Sequence, residues 1–504
     1  AGAARGASVQ VTAGGNPGSW PAQVWVNRPG VSIAATDEKG KFSVTVAEDA
    51  LPGGYWIRIY NAEGSAAPLP FIVGTVPEIN EQEPNDNFNK PQLFAESACT
   101  VNGRLEKRGD VDTFAMSLKK GQTLVAAVTA HEMLGSPMDA VLQIVSPRGT
   151  ALAQNDDERG LDPLLTFTAP ADGLYLVRVF AFPATADASI SFAGGETFIY
   201  RLTVTTGGFL DSALPLAVSR TQNTTVEAYG WNFAGADTRR TIEPPSDQSA
   251  VDLFSPQWAG ALSLPVVDMP TTIEVEPNDA ARPQTVELPV SMSGRIGEDR
   301  DQDVFRFHLA KGKAWRFKVE SRALGYPLDC VLRLVDSLAK TLATSDDAGK
   351  NVDAELTYTA SADADYTLIL SDLYQHGGPR YFYRLSIEPL EPDFALSVPQ
   401  HAYTLTIGKP LEIPVTIDRR QSFAGDIEIA VPGLPDSVTV SPAKSIAKDG
   451  TSKTVKLTLT ASTTYSGPFR IVGKSSEPLS RSHLAESLAP AAAALSGLWL
   501  TVVK

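Results

Sequence analysis

Cysteine is nearly absent from this chain. Its 504 residues include two cysteines, Cys99 and Cys330, which form neither a CxxC pair nor a spacing typical of zinc or haem sites. They lie at non-matching positions of two similar segments, so we expect two buried thiols rather than a disulfide. A cysteine framework therefore does not organise the fold.

Long hydrophobic runs are also missing. A membrane-spanning helix needs ~20 apolar residues, and the longest candidate, LAPAAAALSGLWL at 488–500, is too short and contains Pro490. Part of it, Ala491–Ala494, is the one place where the sequence favours a helix. No basic and then apolar leader follows Ala1, so we expect an export signal to have been removed or never to have existed. We expect a chain that does not span a membrane.

Catalytic signatures are scarce. The chain has five histidines, and His131 heads the sequence HEMLG, which lacks the second histidine of an HExxH zinc motif. No GxSxG elbow, phosphate-binding loop or paired Cys/His signature occurs. Residues distant in sequence could still assemble a site, but the prediction is a protein that is not an enzyme.

Positive charge is in deficit. The formal net charge is −15 and the isoelectric point is about 4.9, so the surface repels nucleic acid and anionic lipid. The hydrophobic fraction of 43% is that of an ordinary globular protein. A chain of this length is too long for one core, and we expect three to five domains.

What the chain does contain is a repeat. GRLEKRGDVDTFAMSLKKGQ from Gly103 matches GRIGEDRDQDVFRFHLAKGK from Gly294, and MDAVLQIVSPRGTALAQNDD from Met138 matches LDCVLRLVDSLAKTLATSDD from Leu328. Further along, LTFTAPADGLYLVRV matches LTYTASADADYTLIL, and FIYRLTV matches FYRLSIE. Four matches in the same order indicate a duplication.

Alternating apolar residues in both copies predict strands. Phe114, Met116 and Leu118 alternate with polar or small residues, as do Phe305 and Phe307 with their neighbours. This period of two, broken by Gly, Asp and Pro turns, predicts an all-β chain of tandem β-sandwich domains of jelly-roll or immunoglobulin-like type. The predicted domains are a small immunoglobulin-like domain at 1–78, a sandwich at 79–206, a second small domain at 207–269, a second sandwich at 270–389 and an immunoglobulin-like sandwich at 390–504.

The order of motifs in each copy resembles a known family. An EPND turn, then GxL/I and D-x-D-x-F, then a DD pair and TFTAPADGLYLVRV, is similar to the bacterial pre-peptidase C-terminal (PPC) domain, a family that includes the collagen-binding modules of bacterial collagenases. The resemblance covers about 79–206 and 270–389. The second copy departs from it at a turn, where Ala360, Ser361 and Ala364 replace the usual residues. The resemblance implies a sandwich fold and an accessory role in secreted, multi-module proteins.

The acidic turn is a candidate calcium site, since calcium prefers six to eight oxygen ligands. EQEPND from Glu81 and EVEPND from Glu274 each supply several oxygen donors around a proline. In the collagen-binding relatives that these segments resemble, the turn and the D-x-D loop meet around calcium. Carried onto this sequence, the resemblance implies the ligands Glu81, Glu83, Asn85, Asp86, Asp110, Asp112, Glu274, Glu276, Asn278, Asp279, Asp301 and Asp303.

A purely structural role without metal stays open for these acidic stretches. Asn and Asp after proline form ordinary turns, which hydrogen bonds alone can hold. A further pair of acidic stretches, at 155–162 and 345–353, is better explained as polar hairpin tips on the rim of each sandwich.

Two segments are candidate contact surfaces. In YWIRIY, the alternate residues Trp56, Arg58 and Tyr60 form an aromatic and basic stripe that could bind a glycan or a protein strand, although packing under a neighbouring domain is favoured. The loop Phe182–Glu196 is longer than its counterpart in the second copy.

Three functions remain in competition. The first is a secreted or cell-surface scaffold with calcium-rigidified joints, which binds a protein or polysaccharide of unknown identity. The second is a non-catalytic region or partner of a secreted peptidase or other hydrolase. The third is a self-associating subunit of a surface layer, fibre or large complex. All three place the chain outside the cytoplasm, in the extracellular space, on the cell surface or in the periplasm.

Overall fold

The chain folds into two compact units. The computed structural model describes residues 1–16, 18–185, 191–233, 235–246, 248–349, 352–477, 479–487 and 497–504. The first unit contains residues 1–5, 49–54 and 72–390, and the second contains residues 6–48, 55–71 and 391–504. The five domains predicted from the sequence stay a prediction, and the predicted domain at 1–78 contributes residues to both units.

Strands dominate both units. They make up 53% of the structure and helices 1%, which confirms the all-β prediction of tandem sandwiches. Among the described residues the helices are α1 (His131–Leu134) and a single 3-10 turn at Arg322–Leu324. Neither comes near the length and apolar character needed to cross a membrane. The expected helix at Ala491–Ala494 lies outside the described residues.

The first repeated sandwich consists of ten strands in two sheets of five. The strands are β9 (Glu78–Asn80), β10 (Gln92–Leu93), β11 (Ala98–Arg104), β12 (Asp112–Leu118), β13 (Thr123–Thr129), β14 (Met138–Val145), β15 (Ala151–Asn155), β16 (Leu164–Thr168), β17 (Gly173–Pro183) and β18 (Ile199–Thr205). Their order is β10-β12-β17-β14-β15 in one sheet and β16-β13-β18-β11-β9 in the other. The short strands β9 and β10, on either side of the acidic turn, are edge strands.

The second repeated sandwich has the same topology. Its strands are β26 (Thr271–Ile273), β27 (Gln284–Thr285), β28 (Val290–Arg295), β29 (Asp303–Leu309), β30 (Ala314–Glu320), β31 (Cys330–Val335), β32 (Thr341–Ser345), β33 (Glu355–Thr359), β34 (Ala364–Asp372) and β35 (Phe382–Pro389). Their orders, β27-β29-β34-β31-β32 and β26-β28-β35-β30-β33, reproduce those of the first sandwich strand for strand. The register is also shared, since Gly103 pairs with Tyr200 and Gly294 with Tyr383. The repeat seen in the sequence is therefore a repeat of structure.

The alternating residues form the cores. Phe114, Met116 and Leu118 are buried in the first sandwich, and Phe305 and Phe307 in the second. Because successive side chains of a strand point to opposite faces, the residues between them are free to be polar. Burying such a side chain contributes about 1.5–3 kcal/mol, so each core depends on keeping this register.

A smaller β segment connects the two sandwiches within the first unit. Its strands are β19 (Gly208–Leu214), β20 (Val218–Ser219), β21 (Thr224–Trp231), β22 (Arg239–Ile242), β23 (Ala250–Leu253), β24 (Trp258–Ala259) and β25 (Leu262–Val267). Phe209 and Ala259 pack with Val125 and Leu164 of the first sandwich. Leu214 and Leu216 pack with Tyr326 and Phe382 of the second. The connecting segment thus shares a small apolar cluster with each neighbour.

The remaining strand of the first unit is β1 (Gly2–Ala4), which pairs with residues 72–74 of β8 (Leu69–Gly74). The N-terminal strands of the second unit are β2 (Ser8–Thr12), β3 (Gln23–Val26), β4 (Val31–Ala35), β5 (Lys41–Val46), most of β6 (Gly53–Asn61) and β7 (Gly64–Ser65). Its C-terminal strands are β36 (Asp393–Val398), β37 (Ala402–Thr406), β38 (Leu411–Arg420), β39 (Ile427–Ala430), β40 (Val438–Val440), β41 (Ala443–Ser445), β42 (Thr454–Ala461), β43 (Tyr465–Phe469), β44 (Val472–Ser475), β45 (Arg481–Ser487) and β46 (Leu498–Val503).

In this second unit, the predicted aromatic and basic stripe of β6 packs against β46. Arg58 is buried and its guanidinium donates to His401 Nδ1 at 3.0 Å, while the rings of Tyr60 and Trp499 lie 4.7 Å apart. Trp56 is half-buried. Arg58 and Tyr60 are therefore covered by the C-terminal strands, which agrees with the packing interpretation of the stripe.

The packing predicts that substitutions at neighbouring positions of β29 differ strongly in their effect on stability. Phe305→Ala should destabilise the second sandwich by about 3–5 kcal/mol, because it leaves a cavity among core residues. Arg306→Ala, at the exposed neighbouring position, should change stability by less than ~0.5 kcal/mol. Urea unfolding of both variants measures the difference. Equal destabilisation by the two substitutions would contradict the assignment of Phe305 to the core face of β29 and of Arg306 to its outer face.

Candidate metal centre

Each acidic turn leaves the sandwich edge and folds back onto itself. The bonds Glu83–Pro84 and Glu276–Pro277 are both cis. The backbone N–H of Asn85 donates to Glu83 Oε2 at 3.0 Å, and that of Asn278 donates to Glu276 Oε2 at 3.1 Å. Both asparagines are almost completely buried. The two turns therefore have the same local structure, and each places an amide side chain inside the protein.

The second part of the site comes from the loop that precedes β12 or β29. Asp112 and Asp303 are the first residues of these strands, and both are fully buried. Asp110 Oδ2 accepts from the Glu106 N–H at 2.5 Å, and Asp301 Oδ2 accepts from the Gly297 N–H at 2.8 Å. The loop thus uses one carboxylate to hold its own backbone and presents the other to the core.

Turn and loop converge in both sandwiches. In the first, carboxylate oxygens of Glu83, Asp110 and Asp112 all lie within 4.8 Å of one another. In the second, the corresponding group is Glu274, Glu276 and Asp303. Among the described residues no other groups of three acidic, histidine or cysteine side chains reach this spacing. We call each of these groups, together with the asparagine beside it, an acid cluster.

The other predicted ligands lie around the clusters. Glu81 accepts from the Arg104 N–H at 2.8 Å, next to Asp112, and Asp86 Oδ1 lies 3.5 Å from the Val111 nitrogen. Asp301 lies in the loop of the second cluster. Asp279 instead forms an exposed ion pair with Arg282 at 2.6 Å, and the hydrogen bond from Arg282 lowers the pKa of this carboxyl. The structure therefore turns Asp279 away from the second cluster.

A tyrosine that the sequence patterns did not single out completes each cluster. The Tyr383 hydroxyl lies 2.7 Å from Glu274 Oε2 and 2.6 Å from Asp303 Oδ2. Tyr200 occupies the equivalent place between Glu81 and Asp112. The signal for these residues was the shared YRL of FIYRLTV and FYRLSIE, but only the strand pairing shows that they reach the acidic turn.

Glycine is required opposite each tyrosine. A Cβ atom at Gly103 would collide with the Tyr200 hydroxyl and with Glu81, and one at Gly294 would collide with Tyr383 and Glu274. The glycine of the repeated GR motif therefore makes room for the contact between tyrosine and carboxylate. This explains the residue by packing, since neither position has a positive φ.

Several oxygens in the clusters are buried without a hydrogen-bond partner. They are Asn85 Oδ1, Asp110 Oδ1 and Asp112 Oδ1 in the first cluster, and Asn278 Oδ1 and Asp303 Oδ1 in the second. Buried polar atoms are nearly always paired, because an unpaired one costs about 1–3 kcal/mol or more when charged. All of these atoms are hard oxygen donors, which fit a cation such as calcium.

Burial and crowding also alter the acidity of these groups. Loss of hydration, together with the neighbouring Glu81, raises the pKa of Asp112 to about 10, and burial beside Glu274 raises the pKa of Asp303 to about 10. Burial and the contact with Asp86 raise the pKa of Asp110 to about 6. Without a cation, each cluster therefore retains a proton at neutral pH.

The second pair of acidic stretches has a structural role at its buried carboxylates. Asp162 accepts from the Ala130 and His131 N–H groups at 3.0 and 2.8 Å, which begin α1. Asp353 accepts from Ser321, Arg322 and Ala323, which begin the 3-10 turn. These carboxylates satisfy backbone donors at the start of a helical turn. This agrees with the structural interpretation of the stretches, although the aspartates are buried rather than solvated.

The long loop Phe182–Glu196 is described in part, because residues 186–190 lie outside the described residues. The ring of Phe192 packs on Phe180 with a centroid distance of 4.4 Å. Gly194 lies directly against the Lys107 carbonyl, where a Cβ would not fit. The end of this loop therefore covers the loop that carries Asp110.

The pKa shifts predict how stability depends on pH in the absence of metal. The folded chain keeps protons on Asp112 and Asp303 up to about pH 10, whereas the unfolded chain loses them near pH ~4. Between these limits the folded state binds more protons, so stability falls as pH rises, by at most ~1.4 kcal/mol per pH unit for each proton. Urea unfolding in EDTA at pH 5, 7 and 9 measures this slope.

The double variant Asp112→Asn, Asp303→Asn is the control for that slope. Asparagine does not titrate, so this variant lacks the two protons that the folded wild type retains. Its free energy of unfolding should therefore depend less on pH. A wild type whose stability rises from pH 5 to 9 in EDTA, or a control with an equal slope, would contradict the raised pKa values.

Comparisons with known proteins identify part of this architecture. Residues 110–181 match the model of the bacterial pre-peptidase C-terminal domain. A protein of Deinococcus radiodurans named "probable subtilase-type serine protease" is 33% identical over 102 residues, which are 20% of this chain and 14% of that protein. This chain therefore aligns with a small part of that relative.

Solved structures add little to this assignment. The periplasmic inhibitor of g-type lysozyme, PliG, from Aeromonas hydrophila is 18% identical over 25% of this chain and 94% of its own, with a TM-score of 0.17. The M60 catalytic domain of Clostridium perfringens ZmpB with its CBM51 domains is 9% identical over 74% of this chain and 55% of its own, with a TM-score of 0.15. Scores this low carry no conclusion about the fold. The family match, in contrast, places a bacterial pre-peptidase C-terminal domain at residues 110–181, which begin with Asp110 in the loop before β12 and Asp112 at the start of that strand.

Proposed function

We propose that this chain is a non-catalytic, extracellular or cell-surface scaffold whose two repeated sandwiches bind calcium. The observation that carries the proposal is the pair of acid clusters at the same topological position, each with buried oxygens that have no partner in the protein. Calcium at each cluster joins the acidic turn to the sandwich and stiffens the connection to the segment before it.

The second sandwich is included in this proposal although the family model matches the first. Its strand order, its register, its cis-proline turn and its tyrosine between two carboxylates all repeat the first sandwich. Strand-for-strand identity with a matched domain supports a second domain of the same family.

The chemistry of the clusters favours calcium over softer metals. Every donor is a carboxylate or amide oxygen, whereas zinc and copper sites usually include histidine or cysteine. Glu83, Asn85, Asp110 and Asp112 would hold the ion in the first sandwich, with Glu81 beside them. Glu274, Glu276, Asn278 and Asp303 would hold it in the second, with Asp301 in the adjoining loop. The bound ion supplies positive charge to a site that is otherwise buried and acidic.

The polar contacts of the nucleophilic and basic side chains support a non-catalytic role. Burial raises the pKa of the Cys99 thiol to about 11 and also raises the pKa of the Cys330 thiol well above its usual value, so both are poor nucleophiles. His308 bonds Asp363 and Asp365 on the surface, and His483 lies 2.7 Å from Asp393. None of these contacts pairs a histidine with a serine or cysteine nucleophile.

A second candidate is the non-catalytic region, or the partner, of a secreted peptidase. The resemblance to the Deinococcus radiodurans protein named as a subtilase-type protease supports it. If the chain is a region of the peptidase, the two candidates differ in the polypeptide that is made. Intact-mass analysis of the newly made precursor tests the first form of this candidate, since a linked catalytic domain would make the chain a region of a peptidase, and co-purification with a separate peptidase tests the partner form.

Chelation tests the calcium proposal. Calcium at 100 times its Kd stabilises the folded state by about 2.7 kcal/mol, which for a sandwich of this size corresponds to a rise in Tm of at least about 5 °C. Melting curves in calcium chloride and in EDTA measure the shift. The double variant Asp112→Ala, Asp303→Ala should lose it, because each substitution removes a fully buried ligand.

A matched control separates site binding from nonspecific charge effects. Asp156→Ala combined with Asp346→Ala removes two exposed carboxylates from the hairpin tips of the same sandwiches. This variant should keep the full calcium shift. An unchanged Tm when EDTA is added to the wild type would rule out the proposal.

A further inference from the structure

The loop between β34 and β35 in the second sandwich connects its acid cluster to the interface between the sandwiches. We propose that calcium at this cluster strengthens that interface through Arg380, and that the first cluster has no such coupling. This inference rests on the proposed function and specifies what one of the two sites controls.

Arg380 forms a buried ionic contact among three parts of the first unit. Its Nε donates to Asp211 Oδ2 of the connecting segment at 2.7 Å. Its Nη1 donates to Glu158 of the first sandwich, at 2.7 Å to the carboxylate and 2.8 Å to the carbonyl. Its Nη2 donates to the Gly325 carbonyl of its own sandwich at 3.1 Å. We call this contact the Arg380 joint.

The joint is shielded from solvent, and the Arg159 guanidinium also interacts electrostatically with Asp211 and Arg380. The side chains of Arg380 and Asp211 are 7% and 4% exposed. A buried charge that loses its partner is costly, so the joint has little tolerance for displacement of either group. Tyr326 lies beside the guanidinium and donates to Ser212 Oγ at 2.9 Å. The joint therefore depends on the placement of the Arg380 backbone.

That backbone is set by the loop that carries Asp301. The Gly378 N–H donates to the Ile296 carbonyl at 2.9 Å, and the Gly377 N–H donates to Asp299 Oδ1 at 3.2 Å. From the other side, the Arg300 N–H donates to the Gln375 carbonyl at 2.9 Å. Gly377 also lies so close to the Glu298 carbonyl that a Cβ would not fit. The two loops therefore form one connected layer.

The acid cluster is connected to this same layer of two loops. Asp301 closes the loop through the Gly297 and Gln302 N–H groups at 2.8 and 2.9 Å, and Asp303 begins β29 directly after it. A cation held at Asp303 fixes one end of this loop. Residues 296–301 then have fewer accessible conformations. The loop between β34 and β35, which packs on them and positions Arg380, is restricted in turn. Cation binding and formation of the joint should consequently stabilise each other.

The first sandwich provides an internal contrast. Its corresponding loop also covers the aspartate loop, since the Gly109 N–H donates to the Phe192 carbonyl at 3.0 Å and the Gly195 N–H to the Leu105 carbonyl at 2.8 Å. At the position of Arg380, however, it has Thr197, three residues before Tyr200 as Arg380 is three before Tyr383. Threonine carries no charge and forms no ionic joint. The geometry thus assigns the coupling to the second cluster.

Reciprocity supplies the test, because a joint that calcium stabilises must in turn strengthen calcium binding. The second site is measured alone in an Asp112→Asn background, and the first site alone in an Asp303→Asn background, by calorimetric titration of the full chain with calcium chloride. Asp211→Asn weakens the joint from the connecting segment, away from both clusters. It should raise the Kd of the second site by about fivefold or more and leave that of the first within about twofold.

Glu158→Gln is a milder variant that removes the carboxylate charge facing Arg380 from the first sandwich. It should also raise the Kd of the second site. If Asp211→Asn does not fold, this variant alone tests the coupling. Unchanged affinity at the second site, or equal weakening at both sites, overturns the inference while leaving calcium binding intact. An absence of calcium binding in the Asp112→Asn chain itself overturns both the inference and the proposed function.

Discussion

Burial of several carboxylates beside the first residue of a core strand is the constraint on which the repeated sandwiches depend. Asp112 and Asp303 begin β12 and β29 inside the protein, and further acidic side chains face them. Like charges in a low-dielectric site repel each other strongly, so the arrangement requires protons, hydrogen-bond donors or a cation. The tyrosine hydroxyl lies between the carboxylates, the glycine opposite makes room for it, and the folded-back turn brings the acidic side chains to the site.

Comparison of the two sandwiches shows which features of the buried carboxylate site are common to both. Tyr200 and Tyr383 both lie between carboxylates, and Gly103 and Gly294 both make room for them. These parts belong to the sandwich and its acid cluster. The parts that differ concern the surroundings, since Arg380 reaches neighbouring segments whereas threonine stands at the matching position of the first sandwich. One scaffold thus supports two sites of similar chemistry with different connections to the chain around them.

The first unit combines two kinds of contact between its parts. Small apolar clusters join the connecting segment to each sandwich, around Phe209 on one side and Phe382 on the other. The Arg380 joint adds charged hydrogen bonds that are geometrically demanding. Apolar contacts tolerate small displacements, whereas a buried ion pair needs correct geometry to repay its desolvation. The combination favours one defined arrangement within this unit.

Local sequence patterns determined the strands, their buried faces and the repeat. Phe114, Met116 and Leu118 alternate because a strand presents every second residue to the core, and this information is present in any stretch of the chain. The acidic residues of the turn and of the D-x-D loop were also visible, because oxygen donors concentrated around a proline are a compositional signal. Their pairing into a site was inferred from a family resemblance.

Tertiary structure alone decided which of these residues meet. Tyr200 lies 119 positions from Glu81, and the pairing of β11 with β18 is what brings the two together. Asp279 was placed with its neighbours by sequence, but the nearby Arg282 draws it into an exposed ion pair. Arg380, Asp211 and Glu158 belong to three separate segments without a common motif. The amino-acid order determines the periodicity of each strand because that property is local, whereas contacts between distant residues depend on strand order and register, which only the assembled fold defines.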